Sequence, residues 1–238
     1  MKAFCFSIII GLFSVTANAA GVINFNSQSG PNAGMVNYDG LGGSLVGTNI
    51  DIGVVSGIGT ANTGSYNCLG CKLNFTTGNL DLMASLSQDS SGNSYVFDSG
   101  MTDADPNTGY FEITGTLQTG TLVGDIVGTG ATPLLSGFWT SPITVSVLNG
   151  IFAISNGSGT DTKNPQLLAL FGEPLGSFTF ANTNIQLANA PIGGNLGAFN
   201  TQVTQAIVSN VATVPLPGAV WLMGSALIGL LGGRRSRV

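Results

Sequence analysis

The sequence predicts an all-β fold, a two-layer β-sandwich of jelly-roll type that carries one short helix. Three observations lead there. Helix-favouring Glu, Lys and Arg are scarce in a chain of 238 residues that holds 36 glycines. Short β-prone runs recur between clusters of Gly, Asn, Asp and Pro, which are strand and turn punctuation. Within these runs apolar residues take every second position and so share one face of an extended chain. With 43% hydrophobic residues the chain has enough apolar surface to fold. Strands with one apolar face need a second layer to cover it.

Taken in order, Ile50, Ile52 and Val54 alternate first, followed by Leu73 with Phe75 and then by Leu80, Leu82, Ala84 and Leu86. Phe111, Ile113 and Leu117 share a face, with Glu112, Thr114 and Thr116 opposite. Ile143, Val145 and Val147, and Phe178 with Phe180, extend the set. Ser90-Ser91-Gly92-Asn93, Asp105-Pro106-Asn107-Thr108-Gly109 and Asn156-Gly157-Ser158-Gly159 are turn signals between runs. One segment departs from strand patterning. Asn164-Pro165-Gln166-Leu167-Leu168-Ala169-Leu170-Phe171-Gly172 has a cap, a proline at the first helical position and a closing glycine, and predicts a short helix plugging one end of the sandwich. Phe199, Val203, Ala206, Ile207 and Asn210 also fit a helix face, but Val203, Val208 and Val211 are β-branched and the segment reads as a strand. No repeat of solenoid or propeller length occurs.

Both ends are apolar. Lys2, an apolar stretch over residues 4–15 and Ala17-Asn18-Ala19 have the layout of a secretory signal peptide cleaved after Ala19. Residues 216–233 form an apolar stretch close to the roughly 20 residues that cross a bilayer. Trp221 suits the outer interface, and Arg234, Arg235 and Arg237 suit a cytoplasmic end. The predicted organisation is a signal peptide at 1–19, one extracytoplasmic domain at 20–213, and a tail at 214–238 that engages the membrane through a helix.

The tail carries a resemblance. Val214-Pro215-Leu216-Pro217-Gly218, the apolar helix after it and the basic end resemble the PEP-CTERM class of bacterial sorting signals, in its VPLPA variant. Leu216 stands where the commonest motif has Glu, and Gly218 where the variant has Ala. The resemblance covers only the tail. It implies recognition by an exosortase, a membrane cysteine protease, and a place among exported proteins of bacteria that make extracellular polysaccharide.

Residues 20–213 hold all eleven acids of the chain but only Lys72 and Lys163 among the bases, which leaves nine net negative charges. Such a surface repels phosphate backbones, so nucleic acid is not an expected partner. Histidine is absent, which removes Ser-His-Asp and Cys-His nucleophiles and imidazole zinc sites. Carboxylates, the two lysines and the tyrosines would have to carry any catalysis, and no such set is visible. Cys68-Leu69-Gly70-Cys71 reads as a disulfide pinning a tight turn before a strand at 72–77, since Cys5 leaves with the signal peptide. The other readings are a redox dithiol, which needs a following helix, a zinc half-site, which needs two more ligands, and haem attachment, which needs His where Lys72 stands.

Asp103, Asp105 and Asn107 place oxygens at alternate positions, a spacing that suits calcium, although Thr108 and Thr114 break the EF-hand pattern and a solvated hairpin turn uses the same residues. Asp89 and Asp98 flank another turn. Calcium is the only cofactor the sequence suggests. Tyr66, Tyr95, Tyr110 and Phe138-Trp139 are candidates for stacking on sugar rings, with Phe138 and Trp139 expected in the core and the tyrosines beside turns. The expected function is that of an exported, noncatalytic protein of the cell surface or of an exopolysaccharide or biofilm matrix. The alternatives are a carbohydrate-binding or calcium-dependent module and a carboxylate-based glycan-active enzyme.

Overall fold

The computed structural model describes residues 21–27, 34–88, 94–100, 109–120, 124–148, 151–155, 158–176, 178–188 and 196–212, all within the unit Ala20–Thr213. Alternating apolar residues become thirteen strands: β1 (Val22–Asn26), β2 (Met35–Tyr38), β3 (Ser44–Ile58), β4 (Gly64–Asp81), β5 (Ser94–Phe97), β6 (Tyr110–Gln118), β7 (Ile126–Gly128), β8 (Leu135–Trp139), β9 (Ile143–Leu148), β10 (Ile151–Ser155), β11 (Gly159–Lys163), β12 (Phe178–Leu187) and β13 (Phe199–Ala212). Two short helices, α1 (Leu82–Gln88) and α2 (Pro165–Leu170), accompany them. The fold is all-β and antiparallel throughout.

The sheet closes on itself. Its four long strands, β3, β4, β12 and β13, each pair with two short strands placed end to end along one edge. Between β13 and β3 lie β1 and β2, each bonded to both. From β4 to β12 one path runs through β6, β8 and β11, and another through β5, β9 and β10. The pairing of β12 with β13 completes both circuits. Along either circuit neighbouring strands follow chain order, so the connections are up-and-down. The jelly-roll expectation of two separate sheets is therefore corrected to one closed sheet. The reason it misled is physical: burial at every second residue is the same whether a second sheet or the far wall of the same sheet covers that face.

Ile23, Phe25, Val36, Leu45, Ile113 and Val145 point inward and are buried, as are Leu73, Phe75, Phe111, Leu117, Ile143 and Phe178 from the predicted faces. Trp139 sits among them, its ring 4.6 Å from Phe111 and 6.3 Å from Phe75, and its Nε1 donates to Thr76 O at 2.9 Å. Ile50 and Ile52 are inward as expected, but the next inward residue is Val55, not Val54. A register shift falls between Ile52 and Val54, where two steps along β3 face four along β4, and the inward residues of β3 are three apart there, which reverses the faces beyond it. The side chains of Val147 and Phe180, and the turn residues 90–93, 105–108 and 156–157, lie outside what the structure describes.

The expected strand through Leu82, Ala84 and Leu86 is helix α1 instead. Asp81 Oδ1 accepts from Ala84 N at 2.9 Å, and Ser85 Oγ donates to Asp81 O at 2.6 Å. A capping aspartate followed by Leu-Met-Ala outweighs an apolar alternation that cannot be told from a helix by spacing over so few residues. Helix α2 forms where expected. Asn164 Oδ1 accepts from Gln166 N at 2.9 Å, Pro165 opens the helix, and Leu167, Leu168 and Phe171 enter the core. Phe171 meets Tyr66 edge to face at 5.6 Å. The segment ending the described chain is strand β13, as its β-branched residues predict. Among the described residues no helix is long and apolar enough to cross a membrane, and the stretch 216–233 lies outside them.

Candidate functional site

Strand alternation that sends Phe75, Phe111 and Trp139 inward turns their neighbours outward on the adjacent strands β4, β6 and β8. Register then decides which of these meet. Asn74 lies opposite Glu112, Glu112 opposite Ser136, and Tyr110 opposite Phe138. The Tyr110 and Phe138 rings lie 5.4 Å apart at 60°. Phe138 is 44% exposed, which corrects its expected place in the core. Tyr110 Oη donates to Glu112 Oε2 at 3.2 Å. Burial first, and then the adjacent Glu112 carboxylate, push the Tyr110 hydroxyl above its ordinary 10.0, so it stays a donor at neutral pH.

Beside these rings an open, mostly apolar cavity of about 280 Å³ is lined by Val46, Gly47 and Thr48 of β3, Asn74, Phe75 and Thr76 of β4, and Tyr110 and Glu112 of β6. A second register shift in β3, between Gly47 and Ile50, shapes its edge. Asn49 takes a left-handed φ of 52° there, a conformation that asparagine tolerates, and its N–H donates to Asn74 Oδ1 at 2.8 Å. The bulge thus orients the Asn74 amide. Lys72, farther along the same face, is paired with Asp51.

Tyr66 is half-buried beside Phe171, and Tyr95 is buried at 6% exposure. Only Tyr110 and Phe138 of the aromatic candidates come together outside. Nothing in their spacing reveals this, because the two lie on different strands and pair through β6 and β8 register.

The cysteine pair is linked, with Cα atoms 5.5 Å apart. It does not precede a strand but sits inside β4, where a register shift between Leu69 and Lys72 lets the bridge span a bulge. Gly70 takes a φ of 61° at the bend, Leu69 faces solvent, and both cysteines belong to the core. The expected tight turn is thus a bulge, because pairing with β3 and β6 on either side keeps the flanking residues extended. Strand, not helix, follows Cys71, unlike the arrangement of a thioredoxin-like dithiol. Closing so short a loop restrains the unfolded chain modestly. Cys68→Ser together with Cys71→Ser is expected to lower the unfolding free energy by about 2 kcal/mol, measured by urea denaturation.

One arrangement that the sequence reading missed lies on the inner face of β11. Lys163 Nζ donates to both carboxylate oxygens of Asp161 at 2.8 Å, with side-chain exposures of only 3% and 1%. The ammonium also lies 5.8 Å from the centre of the Phe178 ring. Removal from water raises the Asp161 pKa and lowers that of Lys163, and the attraction between the two opposes both shifts. The available signal was an acid and a base two residues apart on one strand face.

Asp103, Asp105 and Asn107 lie outside the described residues, and among those described no group of three or more His, Cys, Asp or Glu is placed to hold a metal. Asp98 is described, and its backbone pairs with Gly78 and Asn79. The cleavage residues Ala17 and Ala19, the motif at 214–218 and the arginines 234, 235 and 237 also lie outside. Comparison with protein-family models, with curated proteins and with solved structures finds no match.

Proposed function

We propose that this chain is an exported, noncatalytic protein of the cell surface or extracellular matrix, delivered by the signal at 1–19 and the sorting tail at 214–238. The observation that carries this reading is the bridge between Cys68 and Cys71 inside a wall strand, because such bridges persist in oxidising compartments. Pairing of Lys72 with Asp51 and of Lys163 with Asp161 adds support, since it leaves the remaining acids to dominate the surface of the domain. The exosortase acts on the tail as a processing partner and extracellular polysaccharide surrounds the product. Both roles rest on the sorting motif.

A second reading, a carbohydrate-binding module, is favoured by the groove at Tyr110 and Glu112, with the Phe138 ring packed on Tyr110. Calcium at Asp103, Asp105 and Asn107 would belong to that reading. The groove has one carboxylate in its lining, whereas glycoside hydrolysis ordinarily uses two, so binding is better supported there than cleavage.

Mass spectrometry of the chain recovered from fractionated host cells tests the export reading. The expected product begins at Ala20, lacks Arg237, holds no free thiol and is found outside the cytoplasm. A cytosolic chain retaining Met1 with both thiols free overturns the reading. An exported, membrane-held chain that retains Arg237 overturns the processing step alone.

A further inference from the structure

We propose that the outer groove between β3, β4 and β6, with the Phe138 ring beside it, binds a neutral pyranose unit of an extended glycan. The inference rests on the export reading, which places this face among extracellular polymers, and it names the ligand class of the groove. Three features point to a sugar. An aromatic ring left 44% exposed on a sheet face offers apolar surface to the C–H face of a pyranose, while its partner Tyr110 holds it at 5.4 Å. The lining of the same hollow is mostly apolar, suited to the C–H face of a pyranose, and Thr48, Asn74, Tyr110 and Glu112 add a few hydroxyl, amide and carboxylate groups that can meet its hydroxyls. The cavity of about 280 Å³ is open, so a chain can continue beyond the bound unit in either direction.

Charge selects among sugars. Glu112 is the only ionisable carboxylate in the lining, and the nearest cation along this face, Lys72, is paired with Asp51. A uronic acid or a sulfated sugar would bring a second negative charge beside Glu112 without a cation to offset it. A neutral hexose meets no such penalty, and Glu112 accepts from its hydroxyls.

Titration calorimetry on the full chain, held in a detergent without a sugar headgroup, tests this with malto-, cello- and galacto-oligosaccharides against oligogalacturonate. At least one neutral oligosaccharide is expected to bind, and oligogalacturonate is not. Phe138→Ala is expected to weaken neutral binding about tenfold while leaving the melting temperature close to that of the parent, because the ring is on the outer face. Glu112→Gln is expected to reduce the discrimination against oligogalacturonate. Absence of binding to every neutral probe, tighter binding of oligogalacturonate, or unchanged affinity in Phe138→Ala overturns the proposal. Secretion of the mature chain is measured separately, so a secreted chain that binds no neutral sugar refutes the site alone, and a sugar-binding chain retained in the cytosol refutes the export reading alone.

Discussion

Gly115→Ala is expected to lower the unfolding free energy by about 3 kcal/mol or more, the sum of backbone strain and overpacking. Gly115 lies on β6 opposite the bulge that carries the cysteine bridge, with a φ of 128° that side-chain-bearing residues rarely adopt. A Cβ there would sit 2.5 Å from Cys71 Cα and 2.7 Å from its Sγ. Neither atom can retreat, because Cys71 is tied to Cys68 and its strand is bonded on both sides. Gly120→Ala is the control: its φ is 61°, but nothing lies within 4 Å of the added methyl. That change isolates the conformational cost, about 1 to 2 kcal/mol. Urea denaturation of both variants in the full chain decides the matter, and equal losses would show that β6 is not packed against the bridge as described.

An effect at least as large is expected at Asp161 and Lys163. Lys163→Met or Asp161→Leu alone is expected to cost about 3 to 5 kcal/mol, because the surviving charge stays buried without a partner. The double change Asp161→Leu with Lys163→Met is expected to fall within about 1 kcal/mol of the parent, since it removes the desolvation penalty together with the attraction. Dependence on pH follows from the two shifts. Between 3.8 and the raised pKa of Asp161 the native state holds more protons than the unfolded chain, so stability falls as pH rises through that window. Between the lowered pKa of Lys163 and 10.5 the unfolded chain holds more, so stability rises with pH there. The double variant should lack both trends when unfolding is followed across this range. If the single changes prove as mild as the double, the pair is not sealed from water.

Legibility was uneven across the fold. Phe111, Ile113 and Leu117 were readable as one inward face because nothing but their own spacing sets it. Asn164 and Pro165 announced α2 for the same reason, since a cap acts within one turn. Leu82 to Leu86 misled because a short apolar alternation serves either structure, and Asp81 chose helix through its bond to Ala84. Val54 misled because the register shift after Ile52, opposite the extra residues of β4, turns every later side chain of β3 over. At the candidate site Tyr110 was among the aromatic candidates, yet its pairing with Phe138 and the exposure of that ring were hidden.

By itself, then, the order of residues determined the all-β class, the capped helix α2, the lack of imidazole chemistry and the acidic balance, all of which depend on composition or on neighbours a few positions apart. Tertiary structure alone decided the closure of the sheet, the bulge beneath the cysteine bridge, the aromatic groove and the buried Asp161 and Lys163 pair. Each of these depends on which strands lie side by side and in what register. Register is set by bulges and by packing across the whole ring, where one residue of slip exchanges the inside for the outside.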